Sequence, residues 1–112
     1  MTTMPDGAID EAYLARQAGG DRALAAEVLA LFAMQCADQL SAILASPTLQ
    51  DRLDAAHTLK GAASAVGAHR VAAAAAQTEA ALATDAAAVD LTALEQAVAQ
   101  ARIAIAQRQV DP

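Results

Sequence analysis

Aromatic residues are almost missing from this 112-residue chain: Tyr13 and Phe32 are the only two. β-branched residues are few as well, which leaves little material for sheets. There is one cysteine, Cys36, so no internal disulfide can form, and Cys36 with His57 and His69 is too small a set for a zinc cage. Basic residues number seven against thirteen acidic ones, for a formal net charge of −6. That balance excludes a general nucleic-acid binder, which needs a basic face to neutralise phosphates. An apolar run such as Val71 to Ala76 is far too short to span a bilayer, so no membrane segment is expected. The N-terminus carries no basic region and no long apolar stretch, so nothing there reads as a secretion signal. What the chain does have is alanine, 35 residues of it, which is how it reaches 56% hydrophobic with so few large side chains. Alanine is the best helix former. The expectation is one small, acidic, cytoplasmic, all-helical domain over residues 1–112, with frayed ends at about 1–8 and 110–112. A start at Met1 favours a free-standing protein.

Breaks at Gly19-Gly20, Ser46-Pro47, Gly67 and Thr84-Asp85 divide the chain into helices. A short one is expected over Ile9–Ala18, ended by its two glycines. A long one follows from an Asp21 cap to Ala45, with Leu24, Val28, Leu31, Phe32, Ile43 and Leu44 on the buried face. Ser46-Pro47 is expected to cap and open a third helix that reaches Val66. The fourth runs from about His69 to Ala83, and the fifth, capped by Asp90, from Leu91 to about Gln109. Leu94, Val98, Ile103 and Ile105 are expected on the inner side of that last helix, and Cys36 and Met34 in or beside the core. Four substantial amphipathic helices with short connections imply an antiparallel up-and-down four-helix bundle with a short additional N-terminal helix.

Chemistry concentrates on the third helix. At about 100° per residue, Leu49, Leu53, Ala56, Leu59, Ala63 and Val66 form its apolar face. His57 falls roughly 110° from the centre of that face, beside Asp54, Gly61 and Ser64, which predicts an exposed or boundary imidazole. Lys60, the only lysine in the chain, follows one turn later. Gly61 in mid-helix costs up to about 1 kcal/mol relative to alanine, so in an alanine-rich chain it asks for a reason. Clearance for another molecule is one reason, and tight packing against a neighbouring helix is the other. A neutral imidazole near its reference pKa is a nucleophile that can accept a phosphoryl group. Lys60 could offset charge on the transferred group, while Gly61 and Ser64 keep the approach open. No glycine loop that cradles phosphates is present, so the phosphoryl donor must be a partner.

His57-Thr58-Leu59-Lys60-Gly61-Ala62-Ala63, followed by Val66-Gly67-Ala68, resembles the signature of histidine-containing phosphotransfer (HPt) domains of bacterial phosphorelays. Val71 and Glu79 fit the later part of that pattern. Upstream, Ile9-Asp10, Leu14, Gly20-Asp21, Leu24 and Val28 through Phe32 fit its looser beginning, so the resemblance covers about residues 9–83. It implies a four-helix bundle with no kinase activity, in which His57 is the phosphorylated residue, Lys60 steadies the phosphoryl group and Gly61 permits docking. Glu79 would lie on the next helix near His57 and orient it, at a position where many members carry glutamine. The partners implied are receiver domains of response regulators and a hybrid sensor histidine kinase. No cofactor is implied for the chain itself, since the magnesium ion belongs to the receiver. A monomer is expected. The dimerisation helix of histidine kinases is set aside, because Thr58 rather than an acidic residue follows His57 and no proline lies between Pro47 and Pro112.

Two other classes compete. A helical adaptor that binds a receiver or kinase without accepting phosphate would keep the face around Asp54, His57, Gly61 and Ser64 but carry no label on His57. In a plain scaffold the grouping would be coincidence, and the imidazole would be buried. His69 is expected in solvent at the start of the fourth helix.

Overall fold

The structure is a computed structural model and describes residues 7–110. The frayed ends expected at 1–8 and 110–112 therefore fall largely outside the described residues. All regular structure within them is helical.

Every α-helix but the fourth, which follows Ala68 without a side-chain cap, begins where a short polar side chain can accept from an otherwise unpaired backbone N–H. The first, α1, spans Glu11–Gln17, and Asp10 Oδ1 accepts from the Tyr13 N–H at 3.0 Å. Gly19 and Gly20 end its connection at φ +62° and +81°. The second, α2 (Arg22–Ala45), is capped by Asp21, whose Oδ1 accepts from the Leu24 N–H at 3.0 Å. Ser46 is extended because the following proline disfavours the helical region. The third, α3, spans Leu49–Val66, and its cap is Thr48, not Ser46: the Thr48 hydroxyl accepts from the Asp51 N–H at 3.1 Å. Pro47 thus precedes the helix. Arg52 ties the turn down by donating from Nε to the Ile43 carbonyl at 2.7 Å.

Gly67 ends α3 at φ +80°. The Ala68 N–H returns to the Ala63 carbonyl and the Gly67 N–H to that of Ser64, a two-bond closure that needs a left-handed residue. The fourth helix, α4 (His69–Asp85), runs two residues past Ala83 and passes through a 3₁₀ turn at Ala86–Ala88. The fifth, α5, spans Thr92–Val110, with Asp90 Oδ1 accepting from the Thr92 N–H at 2.9 Å.

The helix α3 packs against both α2 and α4, while α5 closes against α4 and α2 and α1 lies across α3 and α2. Leu14, Leu29, Phe32, Ile43, Leu59, Val71, Leu82 and Leu94 fill the centre, with Ala56, Ala63, Ala75 and Ala101 where helices approach most closely. The buried Thr78 hydroxyl donates to the Ala74 carbonyl, so it enters the core satisfied. Burial also pushes the Cys36 thiol up to about 11, which leaves it protonated and unreactive.

Several expected core residues lie outside. Leu24, Leu31, Met34 and Leu44 on α2, Leu49 on α3 and Ile103 on α5 are all exposed. The reason is angular. The face of α2 that meets the bundle is Ala25, Leu29, Phe32, Cys36 and Ile43, and Leu31 sits roughly 130° around the helix from its centre. Ile103 is nine residues from Leu94, about half a turn out of phase with the buried Leu94, Val98, Ala101 and Ile105. One further expectation changes. By length and composition α2 could cross a membrane, with a mean hydropathy of 1.6. Uninterrupted apolar runs miss this, because isolated polar residues punctuate the helix.

Candidate functional site

The inner face of α3, with Ala56, Leu59 and Ala63 fully buried, turns Asp54, His57, Gly61 and Ser64 outward. His57 is 66% exposed. Across the seam, α4 buries Val71, Ala75, Thr78 and Leu82, and that phase brings Glu79 to the edge beside α3. Alanines on both sides let the two helices approach closely enough for one carboxylate to reach across.

Glu79 bridges two groups. Its Oε2 lies 3.2 Å from His57 Nδ1 and its Oε1 lies 3.6 Å from Lys60 Nζ. An ionised carboxylate only accepts, so the contact places a proton on Nδ1 and leaves the lone pair of the neutral ring on Nε2. The result is an outward imidazole with a fixed tautomer and an ammonium within reach of the same carboxylate. Asp54, one turn before His57, accepts from Gln50 Nε2 at 2.8 Å, and Ser64 is exposed further along the same side.

At Gly61 an added Cβ would meet nothing within 4 Å, so the packing explanation for this glycine fails. The space in front of it is open. Gly61→Ala is therefore expected to stabilise the fold by about 0.5–1 kcal/mol, the helix propensity difference with no steric penalty. Urea denaturation checks this, and a destabilised variant would contradict the open environment.

His69 is exposed at the start of α4, as expected, and it has partners there. Its Nε2 lies 3.1 Å from Asp10 Oδ2, and its ring meets Tyr13 edge-on at 5.5 Å between centroids. The Asp10 N–H also donates to the Gly67 carbonyl at 2.9 Å. The Tyr13 N–H first, and His69 second, hold the Asp10 carboxyl below its ordinary range. This cluster fastens α1 to the α3–α4 turn, and Arg108 Nε on Glu11 at 2.9 Å fastens the same helix to α5. Tyr13 carries no signal in the sequence for this cluster, and Asp10 carries only its place in the Ile9-Asp10 part of the family pattern. Among the described residues no group of three or more His, Cys, Asp or Glu could hold a metal ion.

The Hpt domain family model matches residues 27–109, about three quarters of the chain. The chain belongs to the Hpt family. Members carry phosphoryl groups on histidine in two-component phosphorelays, interact with receiver domains of response regulators and kinases, and are carriers rather than enzymes in the strict sense. The match takes in α5, which the sequence resemblance did not, and starts inside α2, leaving α1 outside it. Neither the curated proteins nor the solved structures contained a match to the chain.

Proposed function

We propose that this chain is a cytoplasmic phosphorelay carrier, a single domain built on an antiparallel up-and-down bundle of α2 to α5, with His57 as the phosphoacceptor. The observation that carries the reading is the Glu79 bridge, which holds Nδ1 and leaves Nε2 on an exposed ring. The Nε2 lone pair attacks the phosphorus of a receiver's aspartyl phosphate. The N–P bond forms as the acyl phosphate P–O bond breaks, and the aspartate leaves as carboxylate with the electron pair. The Nδ1 proton stays in place, and Glu79 offsets the positive charge that the ring acquires. A second receiver's aspartate takes the group back by the reverse displacement. Lys60 turns from Glu79 toward the equatorial phosphoryl oxygens, and the receiver supplies the magnesium ion. The receiver docks on the face of Asp54, His57, Gly61 and Ser64, and a hybrid sensor kinase supplies the phosphoryl group upstream.

Incubation with a phosphorylated receiver tests the reading: the chain is expected to take up an acid-labile, base-stable phosphoryl group. Binding of the receiver without label would instead make the chain an adaptor. Lys60→Ala is expected to slow transfer on the order of tenfold, the loss of about 1.4 kcal/mol of charge stabilisation, with an unchanged circular dichroism spectrum. Equal transfer rates would remove Lys60 from the mechanism.

A further inference from the structure

The chemistry of the Glu79 carboxylate bears on the ring after transfer as well as before it. A carboxylate accepts hydrogen bonds and donates none, whereas an amide of the same shape offers both. With Oε2 at 3.2 Å from Nδ1, Glu79 suits a ring that carries a proton there. Once Nε2 bears the phosphoryl group, Nδ1 is the only ring nitrogen left to hold or lose a proton. If the proton stays, the ring leaves phosphorus as neutral imidazole, taking the N–P electron pair as the acceptor's P–O bond forms. If the proton has gone, the ring has to leave as an imidazolate anion, a far poorer leaving group.

The surroundings of the ring favour the protonated form. The nearest charges on its own helix are Asp54 and Lys60, one turn to either side. Asp54 accepts from Gln50, and Lys60 Nζ lies 3.6 Å from Glu79 Oε1. On α4, Glu79 reaches the ring, while Arg70 donates to Gln100, His69 meets Asp10 and Asp85 is exposed at the far end. Arg22, Glu27 and Asp38 on α2 are exposed and make no ion pair with the ring. The helix α1 meets α3 near Gly67, about 15 Å along the helix from His57. Lys60 is thus the competitor for Glu79, and transfer removes it. As Lys60 turns to the phosphoryl oxygens, the whole carboxylate charge is left to the ring.

We infer, on the reading that His57 is the phosphoacceptor, that Glu79 clamps the Nδ1 proton of phosphorylated His57 and so keeps the stored phosphoryl group in its readily released form to higher pH than an amide would. Glu79 is a positioning residue: it holds the proton, and the ring carries and releases the group. The chain is then a donor whose strength is set by one carboxylate on the neighbouring helix.

The full chain is loaded from a phosphorylated receiver, separated from it, and followed for loss of the phosphoryl group to water from mildly acidic to mildly alkaline pH. Loss is expected to slow as the pH rises, and to do so at lower pH in Glu79→Gln than in the parent. The two should agree at the acidic end and differ on the order of fivefold in mild alkali, the upper end for an exposed charged pair. In urea, where unfolding separates Glu79 from His57, the difference should vanish. On the unphosphorylated chain, ring nitrogen NMR shifts should place the proton on Nδ1 in the parent and divide it between both nitrogens in Glu79→Gln, whose amide can turn either end to the ring. Lys60→Ala should not reproduce the shift to lower pH. A Glu79→Gln profile that overlays the parent overturns the clamp and leaves His57 as acceptor, as does a difference that persists in urea or a Lys60→Ala profile displaced in the same way. A chain that takes no label at His57 overturns the phosphoacceptor reading and the clamp together.

Discussion

His57→Gln is expected to abolish phosphoryl uptake from a phosphorylated receiver, with label falling at least a thousandfold to background. Glutamine fills similar space and keeps a polar end for Glu79, but its amide has no lone pair able to attack phosphorus. The substitution sits on an exposed outer face, where changes move stability by about 0.5 kcal/mol or less. Thermal unfolding of the variant should therefore overlay that of the parent. The matching control is His69→Gln. That ring is held through Nε2 by Asp10 and serves to fasten α1, so the variant should keep its label. Label surviving in His57→Gln, or disappearing in His69→Gln, would move the phosphoacceptor away from His57.

The largest effect on stability is expected from Gly67→Ala, a change of the same two residue types as Gly61→Ala with the opposite sign. Gly67 sits at φ +80°, and a Cβ there would meet the Asp10 carbonyl oxygen at 3.0 Å and Tyr13 Cδ2 at 3.2 Å. The first contact is with backbone, which cannot swing aside. Left-handed strain and overpacking each cost about 1–3 kcal/mol, so a loss of about 2–4 kcal/mol is expected. For a domain of this size that lowers Tm by roughly 10–20 °C. Strain alone would be local. Here the same glycine receives the Asp10 N–H, so the substitution should also loosen α1, seen as faster hydrogen exchange at Tyr13 and Leu14. A Tm within a few degrees of the parent would show that α1 does not rest on this turn.

Much of the secondary structure is legible because its signals are local. Asp21 and Asp90 satisfy N–H groups within three residues of themselves, and Gly67 is needed wherever a chain must turn left-handed, so these ends follow from the residues alone. The Ser46-Pro47 turn is less legible: serine and threonine are both good caps, proline suits the first helical position, and only the folded turn shows that the cap is Thr48. On the candidate site, the outward direction of His57 follows from helical phase, but the place of Glu79 does not. Twenty-two residues separate it from His57, and its approach depends on how closely two alanine faces pack.

Helix phase failed at Leu31, Met34 and Ile103 for a physical reason. A chain this rich in alanine carries weak amphipathicity, because alanine is nearly indifferent to which side it faces. Large apolar residues then dominate the apparent stripe, while the true interior of α2 is drawn through Ala25 and Cys36.

From its residues alone, this chain was committed to being helical, to breaking at Gly19-Gly20, Pro47 and Gly67, and to presenting an imidazole, an ammonium and a bare glycine along one helix. Those are matters of propensity and spacing within a few residues. Only the packed bundle decided which oxygen holds Nδ1, where α1 is fastened and which leucines stay outside. Each of these depends on the approach of segments far apart in the chain, and in an alanine-rich sequence the large side chains that would announce such contacts are too few.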